Sequence, residues 1–257
     1  MSRDKGDEKR LPARTVKVFS DDLLPGGTKQ RGLGVILMAS LGKCHLYAGP
    51  ENGFAQVALA VASKACGKKA ISVVSAPRKG KRHSSVQEAE KYGAEIVEVA
   101  HGKLSDVKEK ARLICKRQFQ EDLNSPILLP FGLDCEAFVD TLVSSLRASL
   151  PSHLVKNGPK RLWLVAGSAV LLATFHRLWP KTHFLVVQVG KKIWTDQLEG
   201  KISTKFVAKE KFYEPARIST PYPSVDTYDA KVWQFVLKHA VDGDYVWNVA
   251  RDPPPML

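Results

Sequence analysis

The chain is poor in cysteine, with 4 in 257 residues, and none of Cys44, Cys66, Cys115 and Cys135 forms a Cys-x-x-Cys pair. That spacing excludes a disulfide-dense scaffold and reads as an intracellular protein, cytoplasmic first, with an organelle left open. No stretch approaches 18 consecutive apolar residues, because runs such as Val165 to Phe175 are broken by Gly167, Ser168 and Thr174. A membrane is therefore not among the expected partners. The first fourteen residues mix Arg3, Lys5, Lys9, Arg10 and Arg14 with Asp4, Asp7 and Glu8 and contain no apolar core, so residues 1–14 read as a loose N-terminal tail. The seven histidines show no His-Glu-x-x-His or other metal spacing, and no metal site is expected. Acidic residues are also scarce: 26 Asp and Glu face 39 Lys and Arg, a net charge of +13 that favours anionic partners without choosing among them.

What is present is alternation. A β-rich run at Thr15 to Phe19 leads through Pro25-Gly26-Gly27 to a helix near Gln30 to Ser40, then a strand at His45 to Ala48 and a helix from Phe54 to Cys66. Ala70 to Ser75 and Glu95 to Ala100 follow as strands. Between them, Ser85-Val86-Gln87-Glu88 reads as a capping box, with Gly93 as the stop. Helices are predicted near Ser105 to Phe119 and Glu136 to Leu150, the second with Phe138, Leu142, Leu146 and Leu150 on one stripe. Later strands fall at Arg161 to Val165, Phe184 to Val189 and Tyr245 to Ala250, and helices at Val170 to Leu178 and Asp229 to Ala240. Pro151 to Pro159 and Glu214 to Val225 read as proline-rich connectors. This order implies an α/β fold of largely parallel sheets, since parallel neighbours need crossover connections.

Three strand-to-helix turns could carry chemistry. In Pro25-Gly26-Gly27-Thr28-Lys29 two glycines let the chain turn tightly and put Lys29 at the carboxyl edge of a sheet; alone, the segment is equally a glycine-rich loop with a solvated lysine. In Gly49-Pro50-Glu51-Asn52-Gly53-Phe54-Ala55-Gln56 the free amides of a helix start favour an anion, although Asn52 as an ordinary N-cap explains it as well. In Val165-Ala166-Gly167-Ser168-Ala169-Val170 the small residues leave room for a phosphate, or simply for close helix packing. Gly32-Leu33-Gly34 reads as helix packing, and Arg78-Lys79-Gly80-Lys81-Arg82-His83 as a basic loop without the aromatics that base stacking needs.

Taken in order, these segments resemble the pyridoxal-phosphate-dependent enzymes of the tryptophan synthase β-subunit fold (fold type II), most closely the branch of 1-aminocyclopropane-1-carboxylate deaminase and D-cysteine desulfhydrase. Gly26-Gly27-Thr28-Lys29 is similar to the family's Gly-Gly-Asn-Lys, Asn52 with Gln56-Val57-Ala58 to its Ser-Asn loop, and Tyr92-Gly93-Ala94-Glu95 to its Tyr-Gly-Ala-Glu strand entry. The resemblance implies a three-layer α/β fold of open, mostly parallel sheets with helices on both faces. Its larger cofactor-binding domain would comprise residues 15–45 and 141–257 and its smaller inserted domain 46–140, shortened relative to typical members. It further implies pyridoxal 5'-phosphate as cofactor, a small amino-acid-like substrate, a homodimer, and lyase or deaminase chemistry through a Schiff base on Lys29. Cofactor contacts would come from Lys29, Asn52, Gly167, Ser168, Ala169, Val170 and, at the ring nitrogen, Asn248; substrate contacts from Glu51, Asn52, Gly53 and Gln56. The Lys29 pKa would have to be lowered by burial or by a nearby cation, Arg31 being a candidate. The chain departs from the pattern at Glu51, which stands where the family has serine, and at the phosphate loop, which keeps one glycine. Those departures support an alternative: a catalytically degenerate member that binds or scaffolds, with RNA or another polyanion as partner.

Overall fold

The computed structural model describes residues 15–77, 80–100, 102–119, 123–190 and 203–253. The tail 1–14 and the Arg78-Lys79 part of the basic run lie outside the described residues. Among those described, the chain runs from β1 (Lys17–Ser20) through a 3-10 turn at Asp21–Leu23 to α1 (Thr28–Ala39), β2 (Cys44–Ala48), α2 (Ala55–Ala65), β3 (Lys69–Ser75), α3 (Ser84–Lys91), β4 (Glu95–Val99) and α4 (Leu104–Arg117). It continues with β5 (Ile127–Leu128), a 3-10 turn at Phe131–Leu133, α5 (Glu136–Ser149), α6 (Ser152–Asn157), β6 (Arg161–Ala166), α7 (Val170–Leu178), β7 (His183–Gln188) and β8 (Ser203–Val207). A 3-10 turn at Asp229–Val232 opens α8 (Trp233–His239), and β9 (Tyr245–Asn248) closes the order.

The strands sort into two wholly parallel sheets, one ordered β1-β9-β6-β7-β8 and the other β4-β3-β2-β5. Parallel strands buried on both faces need continuous apolar runs, and β6, with Leu162, Trp163 and Leu164 all at 0% exposure, supplies one. Helix α1 carries the chain from the first sheet to the second and packs against α2 and α5, so one hydrophobic core joins the sheets through Leu33, Leu37, Phe138, Leu142, Phe175 and Trp247. Gly32 permits that approach: a Cβ there would lie 2.7 Å from the Phe138 ring. The predicted stripe on α5 is buried at Phe138, Leu142 and Leu146, while Leu150 caps the helix at the core's margin.

Several sequence expectations change in detail. The Pro151 to Pro159 connector contains α6, β5 and β8 were not anticipated, and β2 begins one residue earlier than expected, at Cys44. β8 escapes because only half-buried Ser203 and Phe206 break its exposed face, so it lacks an apolar run. The capping box at Ser85 is also replaced. The N-cap is His83, whose Nδ1 accepts from the Ser85 N–H at 3.2 Å, while the Ser85 hydroxyl donates to the Glu51 carbonyl at 2.7 Å.

Candidate functional site

In a parallel sheet all carboxyl ends point one way, so the loops after β1, β2, β3, β6 and β9 gather at one edge of each sheet. The loop after β1 is wedged there. A Cβ on Gly26 would fall 2.4 Å from the Ala58 Cα of α2, and one on Gly27, which has φ +62°, 2.4 Å from the Val249 carbonyl oxygen. Thr28 N–H donates to that carbonyl at 3.0 Å, Trp247 Nε1 donates to the Thr28 hydroxyl at 2.8 Å, and Gln30 Oε1 accepts from Gly26 N–H at 2.9 Å. The backbone that presents Lys29 is thereby fixed against both β9 and α2. Gly27→Ala should cost more than about 2 kcal/mol through clash and positive φ. Gly34→Ala, in the same helix with nothing within 4 Å of the added Cβ, should gain about 0.5–1 kcal/mol. Urea unfolding of the two variants checks both signs.

Lys29 is half-buried. Desolvation lowers its pKa, and the Asp229 carboxylate opposes that shift. Asp229 is 2% exposed, and neither carboxylate oxygen has a hydrogen-bond partner. Burial raises its pKa well above the carboxylate range, with Asp252 adding to the rise; the peptide N–H groups of Val249 and Ala250 and the Lys29 amine act the other way without hydrogen-bond geometry being reached. Low dielectric thus favours the uncharged pair, proton on Asp229 and free amine on Lys29. Of the two causes expected from sequence, burial acts and Arg31 does not: its guanidinium grips Asp21 at 2.6, 3.0 and 3.1 Å, and Asp21 is 3% exposed.

The turn after β6 lies at the same carboxyl edge of the first sheet as the loop after β1. Ala169 adopts the left-handed conformation as N-cap of α7, and the amides of Ser168, Ala169, Val170 and Leu171 carry no hydrogen bond among the described residues. Gly167 faces Tyr228: an added Cβ would sit 3.1 Å from the phenol oxygen. Ser168 packs on Gly132, whose N–H donates to the Tyr47 hydroxyl at 3.2 Å, tying the 3-10 turn at Phe131–Leu133 to β2. Tyr228 precedes Asp229, so one short segment touches both the Gly167 turn and Lys29. Tyr222 adds a buried hydroxyl without a partner, its pKa raised by burial, then by Asp229 and Asp22.

The loop after β2 is held from within. The Gln56 amide nitrogen donates to the Glu51 carbonyl at 2.9 Å, and its Oε1 is buried beside Gly53 without a partner. Phe54, not Asn52, occupies the N-cap of α2, which leaves the Asn52 side chain without a hydrogen bond among the described residues. Asn248 is engaged elsewhere: its Nδ2 donates to the Pro223 carbonyl at 2.7 Å and its Oδ1 accepts from the Ser224 hydroxyl at 3.0 Å. Sequence reasoning missed Asp229, whose only sequence signal is an acid opening a helix.

The chain matches no family model and no curated protein. Solved structures do share its fold. An ACC deaminase homologue superposes with TM-score 0.72 at 14% identity, covering 91% of this chain and 83% of that one. A T.th. threonine deaminase gives 0.64 at 17%, covering 93% and 88%. A pyridoxal 5'-phosphate-dependent aspartate racemase gives 0.61 at 16%, covering 94% and 85%.

Proposed function

Because the chain has the fold-type II architecture of the tryptophan synthase β-subunit, we propose that it is a pyridoxal-phosphate-dependent enzyme acting on an amino acid or related amine, with lyase or deaminase chemistry. The observation that carries this reading is the desolvated Lys29 amine facing a buried carboxyl group without a partner, Asp229. The residues present fit the cofactor. The open amides from Ser168 to Leu171, with the Ser168 hydroxyl and the close approach at Gly167, suit a phosphate dianion. Asn52 is free to meet the ring or the substrate. Asp229, rather than the engaged Asn248, is the group to hold a proton at the ring nitrogen.

Bound there, pyridoxal phosphate would supply an aldehyde for covalent capture of an amino group and an electron sink beside the α-carbon. Lys29 would be the nucleophile that holds the cofactor, because only the neutral amine attacks a carbonyl and burial favours that form. When free, the Lys29 amine would be the base that takes a proton from the α-carbon. Gln56 would act by holding the Glu51–Gly53 loop in place.

The test is direct. Titration of the purified protein with pyridoxal phosphate should give a yellow species absorbing near the visible edge of the ultraviolet, and borohydride should bleach it. Mass spectrometry should then find the reduced cofactor on the peptide containing Lys29. A protein that stays colourless, or a label on another lysine, would reject the proposal and leave the binding or scaffold reading.

A further inference from the structure

A cavity of about 290 Å³ lies on the face of the second sheet turned away from α1 and α2. Side chains alternate along β2: Tyr47 joins the core shared with α1, α2 and α5, while Cys44, Leu46 and Ala48 join Val107 and Ala111 of α4. Val107 and Ala111 are both 0% exposed, which fixes the roll of α4 and sets Lys108 and Arg112, one turn apart, along the cavity. Ala48 and the chain leaving β5, from Leu128 to Phe131, complete the lining. That part is apolar, and none of the residues lining the cavity is acidic. The volume stands at the small end of the range for ligand pockets, about 300–1,000 Å³.

Lys108 is half-buried, and its ammonium sits 4.0 Å from the centroid of the Phe131 ring. The ring attracts the charge but has no lone pair to accept an N–H. Among the described residues Lys108 has no carboxylate or hydrogen-bond partner. Arg112 has one: its Nη1 donates to Glu109 Oε2 at 3.2 Å, which leaves Nε and Nη2 without an acceptor among the described residues. The turn that carries Phe131 is held in place, because Leu133 N–H donates to the Pro130 carbonyl at 2.9 Å and Gly132 N–H to the Tyr47 hydroxyl at 3.2 Å. Two cations with the neighbouring Glu109 carboxylate leave one net positive charge beside an apolar wall. A phosphate dianion would bring more charge than this wall returns, and a neutral apolar molecule would leave the N–H donors unmet.

We propose that this cavity is a binding site for a small monocarboxylate with an apolar body, an aryl or branched aliphatic acid. Its carboxylate meets Lys108 and Arg112, and its body covers Leu128 and Pro130. The site shares no side chain with the one around Lys29 and stands whether or not pyridoxal phosphate binds there.

Benzoate is the probe, titrated into the full chain by calorimetry and followed by two-dimensional NMR of the ¹⁵N-labelled protein. Benzamide serves as the neutral isostere, acetate as the charge without the body, and inorganic phosphate as the dianion. Benzoate should bind at least about tenfold tighter than each of the three, weaken as salt is raised, and shift the amides of Leu128, Leu129 and Phe131. Lys108→Met should weaken benzoate about tenfold and Arg112→Met about threefold. Lys108→Arg should keep most of the affinity, since a guanidinium also stacks on a ring and meets a carboxylate. Lys110→Met removes the same charge from an exposed position of the same helix and should leave benzoate binding unchanged. Methionine is a good helix former, and circular dichroism checks that each variant folds; should Lys108→Met unfold, Arg112→Met and the map of shifted amides decide. No benzoate binding below about 10 mM, equal binding of benzamide, tighter binding of phosphate, shifts confined to the Lys29 loop, or an equal loss in Lys110→Met would overturn the proposal.

Discussion

Lys29→Ala should stay folded, take up no cofactor covalently, and lose turnover by at least about 10³-fold, since under the proposed function one amine would serve as both nucleophile and base. The fold survives because the residue lost is a half-buried amine whose charged form the site disfavours, while the loop around it is held by Thr28, Gln30 and the two glycines. Among the described residues one other lysine is buried with a lowered pKa, and it is engaged elsewhere. The Lys231 ammonium donates to the Lys211 carbonyl at 2.8 Å and binds the 208–214 segment. Lys29→Arg separates charge from nucleophilicity: a guanidinium keeps its proton, so it should pair with Asp229 and remain as inactive as alanine. Circular dichroism against turnover and absorbance checks both variants. An alanine variant retaining a tenth of the activity would remove Lys29 from the mechanism.

The architecture was legible because local signals and tertiary packing agree. Each buried parallel strand is a short apolar run, and each crossover helix has an apolar stripe, as at Phe138, Leu142 and Leu146. β5, two exposed residues, and β8, largely exposed, carry no such signal. At the site, Gly26-Gly27 before Lys29 was readable because close approach to Ala58 and Val249 demands residues without a Cβ. Asp229 was not readable. Its significance lies in the absence of a partner for a buried acid, which only the meeting of the 222–229 segment with the 249–252 segment creates. Arg31 misled for a related reason: proximity in sequence to Lys29 says nothing of Asp21, which claims its charge.

Asp229→Asn tests that burial most directly, through the pH dependence of stability in the cofactor-free protein. The folded pKa of Asp229 is raised, so between its unfolded value, about 3.9, and its folded value the native state holds a proton that the unfolded state has released. Stability contributed by this group is therefore full below the unfolded pKa and declines as pH rises through the folded one. Asparagine does not titrate. The difference in unfolding free energy, wild type minus variant, should fall by at least about 1 kcal/mol from acid to neutral pH and then level off; urea titrations across that range measure it. A flat difference would show Asp229 to be ordinarily solvated. With cofactor the sign reverses, because the acid gains a partner: the variant should lose about 10²-fold in turnover. Because the Asp229 carboxyl group is already protonated while the Lys29 amine is free, the asparagine variant should leave the pH at which cofactor capture begins unchanged even as turnover falls. Loss of a generic structural contact would depress capture and turnover alike, whereas unchanged capture with reduced turnover assigns Asp229 to the bound ring.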